Sequence, residues 1–382
     1  MFDELAHDEL ASGVIDWQSQ ADITTLNFQS QARNETQSRS DIVNNSDAVE
    51  WILQLLTDIK QSKSIRAVGH RIVHGGTQFR QPTLINEQVL QSVAEVSELA
   101  PLHNPPALIT IEAAQTIFPE ATHVAVFDTA FFAEMPPSAY IYPVPYEWYE
   151  QYGIRRFGFH GISHEYCSTR AAELLGRQND ASLRLVICHL DNGCSATAVH
   201  GGRPLATTMG FTPLEGLMMG TRSGSIDPGI LIYLMKQQGF GPEGMDQSLN
   251  HQSGLLGVSE ISSDFRQIEE AAQTKHERAQ LAMKMFTERI QSTIGSLTVL
   301  LGGIDGLVFT AGIGEHSPML RSSVCEKLQF LCLELDETKN QNAQVDCDLA
   351  TTKSAGHILL IHTREEQMIA RGAQRLFERF RY

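Results

Sequence analysis

Arginine and histidine beside glycine turns are suited to gripping anions: a guanidinium presents a planar fork to carboxylate or phosphate, and glycine lets the backbone come close. GHRIVHGG carries Arg71 at the end of an apolar run, flanked by His70 and His74. Residues 213–229, PLEGLMMGTRSGSIDPG, set Arg222 among Gly216, Gly220 and Gly224, with Asp227 and Pro228 closing the segment. FGFHGISHEY places His160 and His164 four residues apart, a spacing that serves a metal or arises by coincidence. HLDNGCSATAVHGG, residues 189–202, reads as strand, tight turn, strand and a second tight turn, which is how a backbone cradle for phosphate is often built. An acid, Asp191, stands in its first turn. FTAGIGEHSP adds Gly312 and Gly314 after a strand, suited to lying under a base or ribose. Taken singly, each stretch also fits a solvated side chain beside a loop. The absences narrow the chemistry: there is no HExxH, no GxxxxGK[ST], no HRD set and no Rossmann fingerprint.

The elements that must position these residues read as α/β. SIRAVGHRIVHGG, THVAVFDTAFF, LRLVICHLDNG and GLVFTAGIG are apolar strands that run into polar or glycine turns, and helical stretches alternate with them. THVAVF ends on Asp128. Ligands in open α/β sheets collect at the carboxyl ends of strands, so these turns are the candidate site. Between the last two strands, Leu281, Met285, Ile290, Ile294 and Leu297 recur near helical spacing and predict a long core-facing helix. A terminal helix is expected from Thr363. Residues 1–47 are polar, with Ile23, Leu26 and Phe28 as alternating apolar positions of short strands.

At 382 residues the chain has room for two domains. Its net charge of -16 argues against nucleic-acid and anionic-membrane partners. The six cysteines form no CxxC pair, so they read as reduced thiols rather than a zinc set or disulfide framework. No apolar run is long enough for a membrane helix, and the acidic start MFDELAHDEL lacks the basic-then-apolar order of a secretion signal. A cytoplasmic protein is expected.

From about Val68 onward the chain resembles the acetate kinase family, within the acetate and sugar kinase, Hsp70 and actin superfamily. The resemblance rests on an ordered series: VGHRIVHGG, APLHNPP, VAVFDTAFF, YGIRRFGFHGISH, TTMGFTPLEGLMMGTRSGSIDPG, SSDFR and FTAGIGEHSP. It implies two ribonuclease-H-like domains with an interdomain cleft. The expected first domain is 1–130 plus 366–382, with its first strand missing and the C-terminal helix returning to it; the second, 131–365, carries nucleotide binding and dimerisation. It implies a homodimer and reversible, Mg²⁺- or Mn²⁺-dependent phosphoryl transfer from ATP to acetate, giving acetyl phosphate and ADP. Carried over by motif, Asp128, His160 and Arg222 are catalytic, and Arg71 binds substrate with an acyl pocket of Val73, Leu102, Phe159 and Pro213. The nucleotide falls to His189, Leu190, Asp191, Asn192 and Gly193, to Asp264, Phe265 and Arg266, and to Gly312, Ile313, Gly314, Glu315 and His316. Glu365 matches a magnesium-associated glutamate.

Acetate is already ionised near neutral pH, so the nucleophile needs no general base; Asp128 then organises magnesium, water or arginine. Arg71, His160 and Arg222 are expected as positive charges opposing the repulsion between carboxylate and triphosphate. Two departures bear on activity. The family usually opens on a strand and an Asn-x-Gly-Ser-Ser-Ser turn with no counterpart here, and Asp191 replaces a usual glycine, which is expected to weaken ATP binding. A propionate kinase and a non-catalytic nucleotide-binding relative are the alternatives.

Overall fold

The computed structural model describes residues 1–380 apart from 4, 7, 21–22, 31–32, 43 and 59–64. It divides into two compact units, Met1–Ala130 with Arg364–Tyr382, and Phe131–Thr363.

The first unit holds two three-stranded sheets. β1 (Ala11–Gln20), β2 (Ile23–Ser30) and β3 (Asn34–Arg39) form an antiparallel meander. Leu26 and Phe28 turn inward against Trp51 and Ile42, whereas Ile23 is exposed, because alternate strand residues point to opposite faces. β4 (Ala67–Ile72) pairs in parallel with β6 (Thr122–Phe127), Arg71 opposite Val126, and the short β5 (Thr83–Leu84) flanks β6. β6 is buried for nearly its whole length, as a parallel strand covered on both faces must be, and so reads as an unbroken apolar run. Helices Glu87–Glu95 and Asn104–Ile117 supply Val89, Val93 and Ile111 to the core around Ile72 and Phe127. The terminal helix Glu365–Arg379 packs on β4 so tightly that a Cβ at Gly69 would come within 2.5 Å of Ile369.

The second unit is built on one six-stranded sheet, order β11-β12-β10-β7-β8-β9. β7 (Arg184–Leu190), β8 (Cys194–His200) and β9 (Arg203–Thr207) are antiparallel, while β10 (Gly306–Thr310) and β12 (His357–Leu360) extend β7 in parallel; β11 (Cys347–Asp348) closes the edge. Thr310 lies opposite His189, so the turns after β7 and β10 open at the same end of the sheet. The long helix Glu277–Leu301 is capped by His276 accepting from the Ala279 N–H and stops at Gly302, whose φ of 68° is the left-handed closure that glycine adopts without strain. Its buried stripe is Ala279, Ala282, Phe286, Ile290, Ile294 and Leu297. Leu281 is exposed, a correction to the expected stripe: one residue from Ala282 is about a 100° turn away from the core.

Candidate active site

In the first unit the site grows from adjacent strand ends. Asp128 follows β6 directly, and its N–H bonds the Ile72 carbonyl at 3.0 Å, which seats it beside Arg71. Arg71 Nη2 donates to Asp128 Oδ2 at 2.7 Å and Nε lies 3.2 Å from the same oxygen. Glu365, first residue of the terminal helix, lies 3.8 Å from Arg71 Nη1. Asp128 is 1% exposed. Its charge, opposed by burial and helped by Glu365, holds the Arg71 guanidinium above its ordinary basicity. The HGG turn after β4 is held by Asn104 of the HNPP motif, which accepts from the His74 N–H at 3.1 Å and donates to the His74 carbonyl at 3.0 Å. Thr129 Oγ1 accepts from Gly75 N. Asn104 therefore fixes the backbone of the turn that follows Arg71 and Val73. Its motif stands in the sequence as APLHNPP, yet a polar residue before two prolines looks like a loop and carries no sign of this role. Val73 is half-buried and Leu102 exposed.

In the second unit the β7–β8 hairpin turn carries Asp191, Asn192 and Gly193. Asp191 has no positive φ, so its backbone sits there without strain. Its carboxylate accepts from Asn192 N at 2.9 Å and crosses to the start of the next loop, where a Cβ at Gly312 would lie 2.8 Å from Oδ1. The glycine-rich loop folds onto this turn: Gly220 N donates to the Asn192 carbonyl at 3.0 Å, and a Cβ at Gly220 would meet Asn192 Oδ1 at 1.9 Å. Only glycine permits that approach. Arg222 Nη1 donates to the Pro213 carbonyl at 2.7 Å, and Nη2 stands 2.8 Å from where a Gly193 Cβ would be. Among the described residues no carboxylate pairs with Arg222, and burial draws its basicity down. It is a half-buried cation.

His160 stands at the N-cap of helix Gly161–Leu174 with φ 58°, a left-handed conformation that costs a non-glycine residue about 1–2 kcal/mol and is held by its surroundings. Its Nε2 lies 3.4 Å from the same absent Gly193 Cβ that Arg222 approaches, so the two side chains face one small space. His160 Nδ1 and His164 Nε2 both meet Ser195 Oγ, at 2.9 and 2.7 Å. The four-residue histidine spacing thus serves one hydroxyl, and Ser195 was missed because serine within an apolar strand carries no signal of its own. Phe159 is buried beside His160 and Pro213 is half-buried.

The loop after β10 winds directly into a short helix, Ala311–His316, where a glycine turn was expected. Glu315 holds it, accepting from Ala311 N at 2.9 Å and Thr363 N at 3.3 Å, with His362 Nδ1 2.7 Å away. Burial raises its carboxyl, but these partners outweigh that and keep it below the ordinary range. Ala311 has φ 66°. Ala311→Gly removes that strain and is expected to stabilise the second unit by about 1 kcal/mol in urea unfolding; no gain would mean the helix start tolerates a Cβ. Asp264 caps helix Phe265–Gln273 and pairs with exposed Arg266 at 2.7 Å. Phe265 and Leu190 turn into the core, so any part they play is through backbone; Gly314, Ile313 and His316 line the short helix. Among the described residues no three His, Cys, Asp or Glu side chains are grouped to hold a metal.

The sequence profile of the acetokinase family matches residues 1–371. The chain belongs to the acetokinase family. It is 54% identical over 321 residues to an acetate kinase of Trichormus variabilis, covering 84% of this chain and 79% of that one. Against an acetate kinase of Nostoc sp. it is 49% identical, covering 97% and 92%. Among solved structures, a propionate kinase from Francisella tularensis superposes with a TM-score of 0.91 at 36% identity, covering 98% of this chain and 95% of that one. A Porphyromonas gingivalis acetate kinase gives 0.87 at 38%, covering 97% and 94%. The α/β fold class read from the strand-and-turn pattern is therefore the acetokinase fold, and the chain is a phosphotransferase.

Proposed function

We propose that this acetokinase transfers the γ-phosphoryl group of ATP reversibly to acetate, giving acetyl phosphate and ADP. The observation that carries this reading is Arg222: a half-buried guanidinium without a carboxylate partner among the described residues, its Nη2 sharing the space above Gly193 with His160 Nε2. A carboxylate oxygen of acetate attacks the γ-phosphorus while the bond to the bridging oxygen breaks and its electron pair leaves with ADP. No proton moves, so Asp128 acts by orienting Arg71. In the first unit Arg71 holds the substrate carboxylate, with Val73 and Leu102 as acyl-binding residues; in the second Arg222 and His160 face the phosphoryl group, with Phe159 and Pro213 beside them. Residues 189–193, 264–266 and 312–316 hold the nucleotide. Asp128 and Glu365, two carboxylates beside one guanidinium, would hold Mg²⁺ or Mn²⁺ together with substrate phosphates, whose charge the ion would neutralise. Hydroxamate formation from acetate, ATP and hydroxylamine tests the reading: no turnover at any Mg²⁺ concentration, with ADP still bound in calorimetry, would leave a non-catalytic nucleotide binder.

The propionate kinase likeness favours a second specificity. One methylene in an apolar pocket changes binding by only about 1–3 kcal/mol, so the ratio of kcat/KM for the two acids decides between them.

Asp191 brings a negative charge to the proposed phosphate turn. Partly screened by solvent, such a charge weakens an anion by roughly 1 kcal/mol, and Asp191→Gly is expected to lower the KM for ATP about five- to tenfold, less at high salt. An unchanged KM would place the phosphates elsewhere.

A homodimer is the proposed assembly. Helix Pro228–Gln237 has no buried residue, yet presents Ile230, Ile232, Tyr233 and Met235, all exposed in the single chain. A helix apolar on so many sides is covered in its working state. Light scattering should give two chains per particle for the wild type and one for the Ile230→Asp, Tyr233→Asp double variant. A monomeric wild type at micromolar concentration would reject the dimer.

A further inference from the structure

We infer that Ser195 and His164 are positioning residues that fix His160 as the tautomer with a bare Nδ1 and a protonated Nε2, so that a neutral N–H faces the phosphoryl group. The inference rests on the phosphoryl-transfer reading for its function, and on hydrogen-bond geometry for its tautomer.

One hydroxyl bridges two rings. Ser195 Oγ lies 2.9 Å from His160 Nδ1 and 2.7 Å from His164 Nε2. Its single proton goes to one ring, and the other ring must donate to the oxygen. His164 decides which. It is fully buried, and its Nδ1 has no hydrogen-bond partner among the described residues. Burial, and then neighbouring His189, push its basicity far down, so the ring is neutral and carries one proton. On Nδ1 that proton would be a buried orphan N–H, which proteins avoid more strictly than a bare acceptor. The proton therefore sits on Nε2 and is donated to Ser195.

The serine hydroxyl is then left to donate to His160 Nδ1. A neutral His160 must keep its own proton on Nε2, the atom beside Gly193 and Arg222. The opposite arrangement would aim a lone pair at the phosphoryl oxygens. A second proton on His160 is opposed by the Arg222 guanidinium across Gly193; the His189 ring stacks on it at 4.2 Å. His189 is built the same way. Its Nδ1 lies 2.8 Å from Ser163 Oγ, which itself takes the Thr363 hydroxyl proton at 2.8 Å, so Ser163 is left to donate to His189. Both stacked rings thereby keep a bare Nδ1 facing a serine hydroxyl. The sequence reading counted His160 among the positive charges of the site; here its contribution is a directed dipole, and Arg222 is the cation beside it.

The test reads the tautomer itself. Long-range ¹H–¹⁵N spectra of the ¹⁵N-histidine-labelled full chain, with His160 assigned by its loss in His160→Asn, should show at neutral pH a pyridine-type Nδ1 and a pyrrole-type Nε2. In Ser195→Ala the His160 signals should shift toward a mixture of tautomers, with kcat lowered roughly five- to tenfold and both KM values within about twofold. Ser195→Thr, which keeps the hydroxyl, should restore both. A wild-type His160 protonated at Nδ1, or at both nitrogens, overturns the inference. If the stated tautomer is found in a chain without turnover, the hydrogen-bond assignment is upheld and it is the kinase reading that fails.

Discussion

Arg222→Ala is expected to lower kcat/KM for acetyl phosphate formation about a thousandfold, the scale on which a single cation stabilises a phosphoryl group in transfer. The reason lies in how the side chain is held. One edge of the guanidinium is spent on the Pro213 carbonyl, the other stands over Gly193, and among the described residues no carboxylate neutralises it. Burying a cation without a counter-charge costs free energy, so an arginine held this way is expected to add little to the stability of the fold. The same substitution should therefore leave the melting temperature unchanged or raised. Arg222→Lys, a compact charge without the fork, should recover only part of the rate. Hydroxamate formation and a thermal melt on one preparation check both halves. A rate loss below about tenfold, or a marked fall in stability, would show that Arg222 serves the fold and not the reaction.

Arg321→Met should destabilise the second unit by about 3 kcal/mol, measured from that unit's transition in urea. Arg321 is 1% exposed and, like Arg222, lacks a carboxylate partner among the described residues, yet every edge of it is used. Nη1 donates to the Gly314 and Glu315 carbonyls, both at 2.9 Å, and Nε and Nη2 donate to Asn340 Oδ1 and O at 2.7 and 3.1 Å. Two of these acceptors are the last carbonyls of helix Ala311–His316, where a positive charge also suits the helix dipole. Methionine fills the volume but strands four buried acceptors. Since that helix is proposed to lie under the nucleotide, the KM for ATP should rise with the loss of stability. A change below about 1 kcal/mol would mean that the carbonyls find other donors.

These two arginines show how far a sequence can be read. Arg222 stands in a glycine-rich motif and Arg321 three residues beyond FTAGIGEHSP, and nothing in the sequence around them says that one is saturated with hydrogen bonds while the other is not. Arg71 is a third outcome: parallel strands bring residues 57 apart into register, and the resulting pair with Asp128 orients the guanidinium that is proposed to hold the substrate carboxylate.

What the sequence determined by itself is the order of the elements and the chemistry of their ends. Apolar runs such as THVAVF and LRLVICHL become strands buried on both faces, glycine marks the turns that follow, and the anion-binding residues sit at those turns because side chains leave a sheet at its strand ends. Tertiary structure decided which of them face each other and in what state. Leu281 left the core because the helix phase is set by its neighbours, and Asp191 turned toward Gly312. Asn104 and Ser195, ordinary polar residues in sequence, became the ones that hold the turn after Arg71 and the ring of His160. The physical reason is that a strand or helix is dictated by local spacing, whereas a hydrogen-bond partner, a proton's position on a ring and an unpaired charge depend on atoms brought together from distant parts of the chain.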